Sequence, residues 1–66
     1  MKVYFTMDKD GTERMWSGSE VPKKGVGDLD SRWVGTTGSF VLRAGFIEKY
    51  TGIKLTWDDD PYEIDC

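Results

Sequence analysis

Apolar and polar positions alternate with a period of two at the start of the chain, the pattern of a strand with two unlike faces. In Lys2-Val3-Tyr4-Phe5-Thr6-Met7, Val3, Phe5 and Met7 fall on one side and Tyr4 and Thr6 on the other. Asp8-Lys9-Asp10-Gly11 has the composition of a type I turn closed by a left-handed glycine, a three-residue hairpin loop. Asp8 is expected to accept a hydrogen bond from the backbone two residues on. Pairing Asp8 with Thr12 sets the register: Thr6 faces Arg14, Phe5 faces Met15 and Tyr4 faces Trp16. Val3, Phe5, Met7 and Met15 then form a core face. Tyr4, Thr6, Arg14 and Trp16 share the opposite face, which holds more aromatic surface than a plain solvent face.

Gly18 to Ser31 breaks this pattern with three Gly, one Pro and alternating charges, and reads as a long loop. Trp33-Val34 and Phe40-Val41-Leu42 flank Gly35-Thr36-Thr37-Gly38, which predicts a second tight hairpin. Gly45 then opens a helix over Phe46–Thr51, with Glu48 at its third position and Gly52 as a left-handed stop that lets Ile53 pack back on Ile47. A helix this short does not stand alone, so Phe46, Ile47 and Tyr50 are expected to dock on a sheet. A strand through Ile53 and Leu55 follows. Thr56 opens a single turn with Asp58 and Asp59 near its start, and Tyr62 and Ile64 alternate with Glu63 and Asp65 as on an edge strand. Ser39 to Ile64 thus reads as strand, short helix, strand: half of a core that needs a second layer.

These elements predict an α+β fold, a small, mostly antiparallel sheet of four to five strands with one short helix at about residues 46–51. The alternative is a small all-β barrel with a helical turn. The expected core is Val3, Phe5, Met15, Val41, Phe46, Ile47, Tyr50, Ile53 and Leu55.

Sixty-six residues make one domain, spanning 1–66, with a marginal core unless something staples it. Cys66 is the only cysteine and there is no histidine, so neither an internal disulfide nor a usual zinc site can be built within one chain. Three Trp, three Tyr and three Phe leave dense aromatic packing or self-association, and a homo-oligomer is expected. The lone cysteine, with no apolar run long enough to cross a bilayer and no charged leader before an apolar stretch, leads to the expectation of a soluble cytoplasmic protein. Net charge is −3. From Asp58 onward there are five acids and no base, which leaves nine bases against seven acids before it. Binding of nucleic acid through a basic face is therefore disfavoured.

Little here points to a reaction. Histidine mechanisms are excluded, and no cofactor is expected. Consecutive acids at Asp58, Asp59 and Asp60 fit a solvated run better than an acid/base pair, which needs one carboxyl in an apolar pocket. Asp8-x-Asp10-Gly11 opens like a calcium loop, but the sixth and twelfth positions hold Glu13 and Ser19 instead of Gly and Glu. The glycines at 25, 27, 35 and 38 match no phosphate-binding pattern, because Lys23 and Lys24 precede them and no long helix follows. Most of the aromatic residues fit a small domain that uses large rings to gain buried area, and the alternative is that some of them serve recognition. Tyr4, Arg14 and Trp16 form a candidate exposed patch, since Trp, Tyr and Arg dominate interface hot spots.

Gly45-Phe46-Ile47-Glu48-Lys49-Tyr50-Thr51-Gly52 and Leu55-Thr56-Trp57-Asp58-Asp59-Asp60-Pro61-Tyr62-Glu63-Ile64, within residues 38–64, resemble short uncharacterised proteins encoded by bacteriophages and prophages. The resemblance covers less than half of the chain and brings no catalytic residues. It implies a non-enzymatic accessory protein that binds a host protein, a defence component or a signal molecule. The leading expectation is accordingly a small interaction protein that blocks or modulates a host protein, with Tyr4, Arg14, Trp16, Asp58, Asp59 and Asp60 as contacts. Another is an oligomeric sponge for a small ligand or nucleotide, with its site between protomers and lined by aromatics, Arg14, Lys23 and Lys24. An acidic DNA mimic is a third, disfavoured by the modest net charge.

Overall fold

The structure is a computed structural model that describes residues 2–18, 20–35 and 38–65. It is α+β, as the sequence predicts, and the sheet does not close into a barrel. Four antiparallel strands lie in the order β5-β2-β1-β6: β1 (Lys2–Met7), β2 (Glu13–Ser17), β5 (Ser39–Leu42) and β6 (Tyr62–Asp65). A separate two-stranded ribbon pairs β3 (Lys23–Lys24) with β4 (Trp33–Val34), and α1 (Phe46–Thr51) is the one α-helix among the described residues. No helix of the described residues is long and apolar enough to cross a membrane.

The first hairpin has the register that its turn chemistry predicts. Tyr4 faces Trp16, Phe5 faces Met15 and Thr6 faces Arg14. Asp8 N–H donates to Thr12 O at 2.8 Å, Gly11 N–H donates to Asp8 O at 3.0 Å, and Gly11 sits at φ 92, where a Cβ would be strained. One detail of the turn differs. Asp10, not Asp8, takes the local backbone bond, from Thr12 N–H at 2.9 Å.

The Asp8 side chain reaches across the fold instead. Its Oδ1 accepts from Trp33 N–H at 3.0 Å and its Oδ2 from Arg14 Nε at 2.8 Å. Together with the Lys9 N–H bond to Ser31 O at 3.0 Å and the Trp33 indole bond to Met7 O at 2.9 Å, this ties the β4 segment to the hairpin tip.

Three expectations about connectivity are corrected. Trp33-Val34 does not pair with Phe40-Val41-Leu42: β4 pairs with β3, and β5 pairs with β2 through Met15↔Phe40 and Arg14↔Val41. Thr36 and Thr37, the expected tip of that hairpin, lie outside the described residues, as do Ser19 and Cys66. The stretch Gly18 to Ser31 is not all loop, since it contains β3 and a 3-10 turn at Gly27–Leu29. Ile53 and Leu55 form no strand; the chain from 53 to 56 is irregular, and only Leu55 of the pair is buried.

The sheet therefore has two covered faces. On one, Phe5, Ile47 and Leu55 form the core, flanked by Met7, Met15 and Leu42. On the other, Tyr4, Trp16 and Trp33 pack together with Trp57 against them. The expected core is corrected on its outer side: Val41, Phe46, Tyr50 and Ile53 are all exposed, and Ile47 is the single buried residue of α1. Six helical residues span about 9 Å, whereas four strands at about 4.8 Å spacing make a wider sheet. Such a helix covers part of the face and leaves the rest open.

Candidate functional site

Tyr4 and Trp16 are not an exposed patch. They retain 4% and 5% of their surface, because the β3–β4 ribbon lies over their face of the sheet. The close approach depends on Gly35, where a Cβ would stand 3.0 Å from Cζ3 of Trp16. The Trp16 indole donates to Thr6 Oγ1 at 2.9 Å, and Thr6 is fully buried. Arg14 is held between Asp8 and Ser39 Oγ, the latter at 3.3 Å. This trio belongs to the second core, where both rings are buried and do not form an exposed patch. The sequence carries the signal of that core, since too many aromatics fall on one strand face. What it does not show is that the glycine-rich segment returns to cover them.

The three aspartates are exposed, and they divide. Asp59 closes its own turn: its Oδ2 accepts from Thr56 N–H at 2.8 Å and from the Thr56 hydroxyl at 3.0 Å. Asp60 lies at a cleft of about 660 Å³ whose lining includes Tyr4, Lys23, Lys24, Trp33 and Glu63. This cleft gathers four residues that the sequence singles out separately: Tyr4, Lys23, Lys24 and Asp60. One lysine is already engaged there, with Lys24 Nζ 4.5 Å from the Trp57 ring centre and 5.8 Å from that of Trp33. Arg14 is not among the lining residues. Among the described residues, no three Asp, Glu, Cys or His side chains converge to hold a metal ion.

The buried carboxylates serve the fold. Asp8 uses both oxygens, as above. Glu13, on the core face of β2, accepts from Ile47 N–H at 2.9 Å with Oε1 and from Gly45 N–H at 2.5 Å with Oε2. It takes the capping role that Glu48 was expected to share. Among the described residues, every buried side-chain nitrogen or oxygen has a hydrogen-bond partner.

The surface that sequence reasoning missed is apolar. Val3, Phe5, Met15, Phe46, Tyr50 and Ile64 line a groove of about 220 Å³ between α1 and the sheet. Phe46 and Tyr50 stack with ring centres 5.7 Å apart and planes 9° apart, and Phe5 meets both edge-on at 6.1 and 6.0 Å. Tyr50 nonetheless remains 63% exposed. Phe40, across from Met15 on the same face, is also 63% exposed, and Val41 on the opposite face is 65% exposed. Helical spacing made Phe46 and Tyr50 look like core, and they do face the sheet. The signal for their exposure is the brevity of the helix.

No protein-family model, curated protein or solved structure matches this chain.

Proposed function

We propose that this chain is a small non-enzymatic interaction protein that sets its apolar groove against a host protein and blocks or modulates it. The observation that carries the reading is the groove itself. Stacked Phe46 and Tyr50 beside Val3, Met15 and Ile64 make an uncharged lining with a rigid aromatic rim. Interface centres are depleted of charge and enriched in aromatic residues and Met, and that is the composition found here. The commitment of both Asp8 and Glu13 to backbone and arginine donors supports a non-enzymatic role, because those carboxylates are structural. The likeness of residues 38–64 to short phage and prophage proteins points to a bacterial host protein, such as a defence component, as the partner. Asp58 and Asp60 are exposed, and Asp60 lines the separate cleft with Tyr4 and Trp33 and not the groove.

Affinity capture from host cells with the parent chain and with Tyr50→Glu tests the reading. Tyr50 is exposed, so the variant is expected to keep its melting temperature and to lose the captured protein. Capture that survives Tyr50→Glu but disappears with Asp58→Asn/Asp60→Asn would move the contact to the acidic segment and remove the groove from the proposal.

A second reading has its own observation. The cleft of about 660 Å³ is lined by Lys23 and Lys24, by Asp60 and Glu63, and by Tyr4 and Trp33, a setting for a small polar ligand carrying both charges. A ligand there would raise the melting temperature of the parent chain and not that of Lys23→Ala/Lys24→Ala.

A further inference from the structure

Among the described residues, β5 and β6 are the two edges of the four-stranded sheet, and their chemistry is opposite. β6 alternates Glu63 and Asp65 with Tyr62 and Ile64 and follows Asp58-Asp59-Asp60-Pro61. Charges and proline at an edge keep other strands away. β5 has no such guard. Ser39-Phe40-Val41-Leu42 carries no charge, pairs with β2 alone among the described residues, and shows Phe40 to solvent on one face of the sheet and Val41 on the other.

We propose that β5 is the interface of a symmetric homodimer, in which two copies pair antiparallel along this strand and continue one sheet across both chains. The reading is independent of the host-protein proposal, since it uses the edge of the sheet and no other protein. Charge selects the edge. Two β6 strands paired about Ile64 would set Glu63 of each copy opposite Asp65 of the other, and like charges placed opposite one another oppose pairing. Two β5 strands bring no charges together from 39 to 42.

Symmetry then restricts the register. Residues directly opposite on neighbouring strands point to the same face of a sheet. A two-fold axis perpendicular to the sheet keeps each face continuous, so it must pass through a pair of identical residues. Only two registers centre the exposed apolar side chains. With Phe40 on the axis, the two Phe40 rings meet on the helix side and Val41 lies opposite the partner's Ser39. With Val41 on the axis, Phe40 lies opposite the partner's Leu42.

Area sets the strength. At about 200 Å² for an aromatic side chain and somewhat less for valine, the exposed fractions of Phe40 and Val41 leave roughly 400 Å² of apolar surface over two copies. That is well below the ~1,000 Å² expected of a lasting interface. The strand hydrogen bonds add to it without changing the class. The dimer is therefore weak and concentration-dependent.

Sedimentation equilibrium under reducing conditions, from micromolar to millimolar protein, tests this. The mass should rise with concentration from the 7.5 kDa of one chain to twice that and stop there. Phe40→Glu and Val41→Lys, both at exposed positions, should each hold the protein monomeric with an unchanged circular dichroism spectrum. In a Cys66→Ser background, Phe40→Cys or Val41→Cys should cross-link rapidly on mild oxidation while Tyr50→Cys does not. A monomer at every concentration overturns the proposal. So does an open-ended polymer, which would signal β5 against the partner's β6. Dimerisation lost in Phe40→Glu but kept in Val41→Lys also overturns it, because that result places the contact on the helix face and not on the edge.

Discussion

Glu13 and Ile47 lie 34 residues apart in sequence and are joined by a 2.9 Å hydrogen bond from the Ile47 amide to the Glu13 carboxylate. The second oxygen of the same carboxylate takes the Gly45 amide. A strand side chain thus holds the start of the helix that packs on its sheet, and it satisfies donors that every helix leaves open at its first turn. Glu13 is buried at this junction. Removing the carboxylate leaves the buried Ile47 amide without an acceptor, at about 1–3 kcal/mol, and the part-buried Gly45 amide at a smaller cost. Glu13→Ala should therefore destabilise the fold by about 3 kcal/mol, with Glu13→Gln near half of that because one acceptor remains. Urea unfolding followed by far-ultraviolet circular dichroism reads both values. Equal stability of Glu13→Ala and the parent would show that the junction contributes nothing.

Asp8 does for the aromatic side what Glu13 does for the helical side. Its two oxygens hold Trp33 N–H and Arg14 Nε, so Asp8→Ala strands a buried amide and a half-buried guanidinium together. A loss of about 3 kcal/mol is expected, at the lower end for breaking a buried pair because Arg14 keeps some access to water. Asp8→Asn should fall between the two, keeping an acceptor for Trp33 and losing the charge. Tryptophan emission should shift to the red as the ribbon lifts from Trp16 and Trp33; an unshifted spectrum in a destabilised Asp8→Ala would place the damage elsewhere.

Thr6 is fully buried and accepts the Trp16 indole N–H. Thr6→Val keeps the shape and removes the acceptor, leaving a buried donor unpaired at a cost of about 1–3 kcal/mol. Thr6→Ser keeps the acceptor and loses a methyl, about 1 kcal/mol. Thermal unfolding should therefore rank the parent first, Thr6→Ser next and Thr6→Val last. The reverse order for the two variants would mean that packing of the methyl outweighs the indole bond.

Acid sensitivity should have a local source in the first turn. The Asp10 carboxyl is held below its ordinary value, chiefly by the Thr12 backbone N–H that it accepts, with smaller help from the Thr12 hydroxyl and the Arg14 charge. A carboxyl whose value falls on folding contributes stability above its unfolded value and loses it as pH drops through the lowered folded value. Stability of the parent should therefore decline on the acid side of the ordinary aspartate range, and Asp10→Asn should decline less steeply there. Identical acid limbs for the two proteins would rule the turn out as the source.

Much of the local architecture is legible without coordinates, and the legible parts share a cause. The β1–β2 register follows from Asp8 to Gly11, since a three-residue loop with one left-handed glycine permits one pairing. The bounds of α1 follow from Gly45 and Gly52, and Gly52 N–H closes the helix on Glu48 O at 2.8 Å. Turn and cap chemistry acts over a few residues, and the chain order alone supplies those neighbours.

What the sequence determined by itself is therefore a set of short-range elements, an α+β composition and two unlike faces on the first hairpin. Which partner each face meets was decided only in three dimensions. Tyr4 and Trp16 are buried because Gly35 and Trp33 return over them, and Phe40 is exposed because a six-residue helix is too short to cover four strands. Asp8 and Glu13 look like surface residues until Trp33, Gly45 and Ile47 bring their amides to them. Hydrophobicity gives each side chain a preference for burial, but it is non-directional. The area available to satisfy that preference depends on how distant segments stack, so the candidate interaction surface becomes visible only once the layers are assembled.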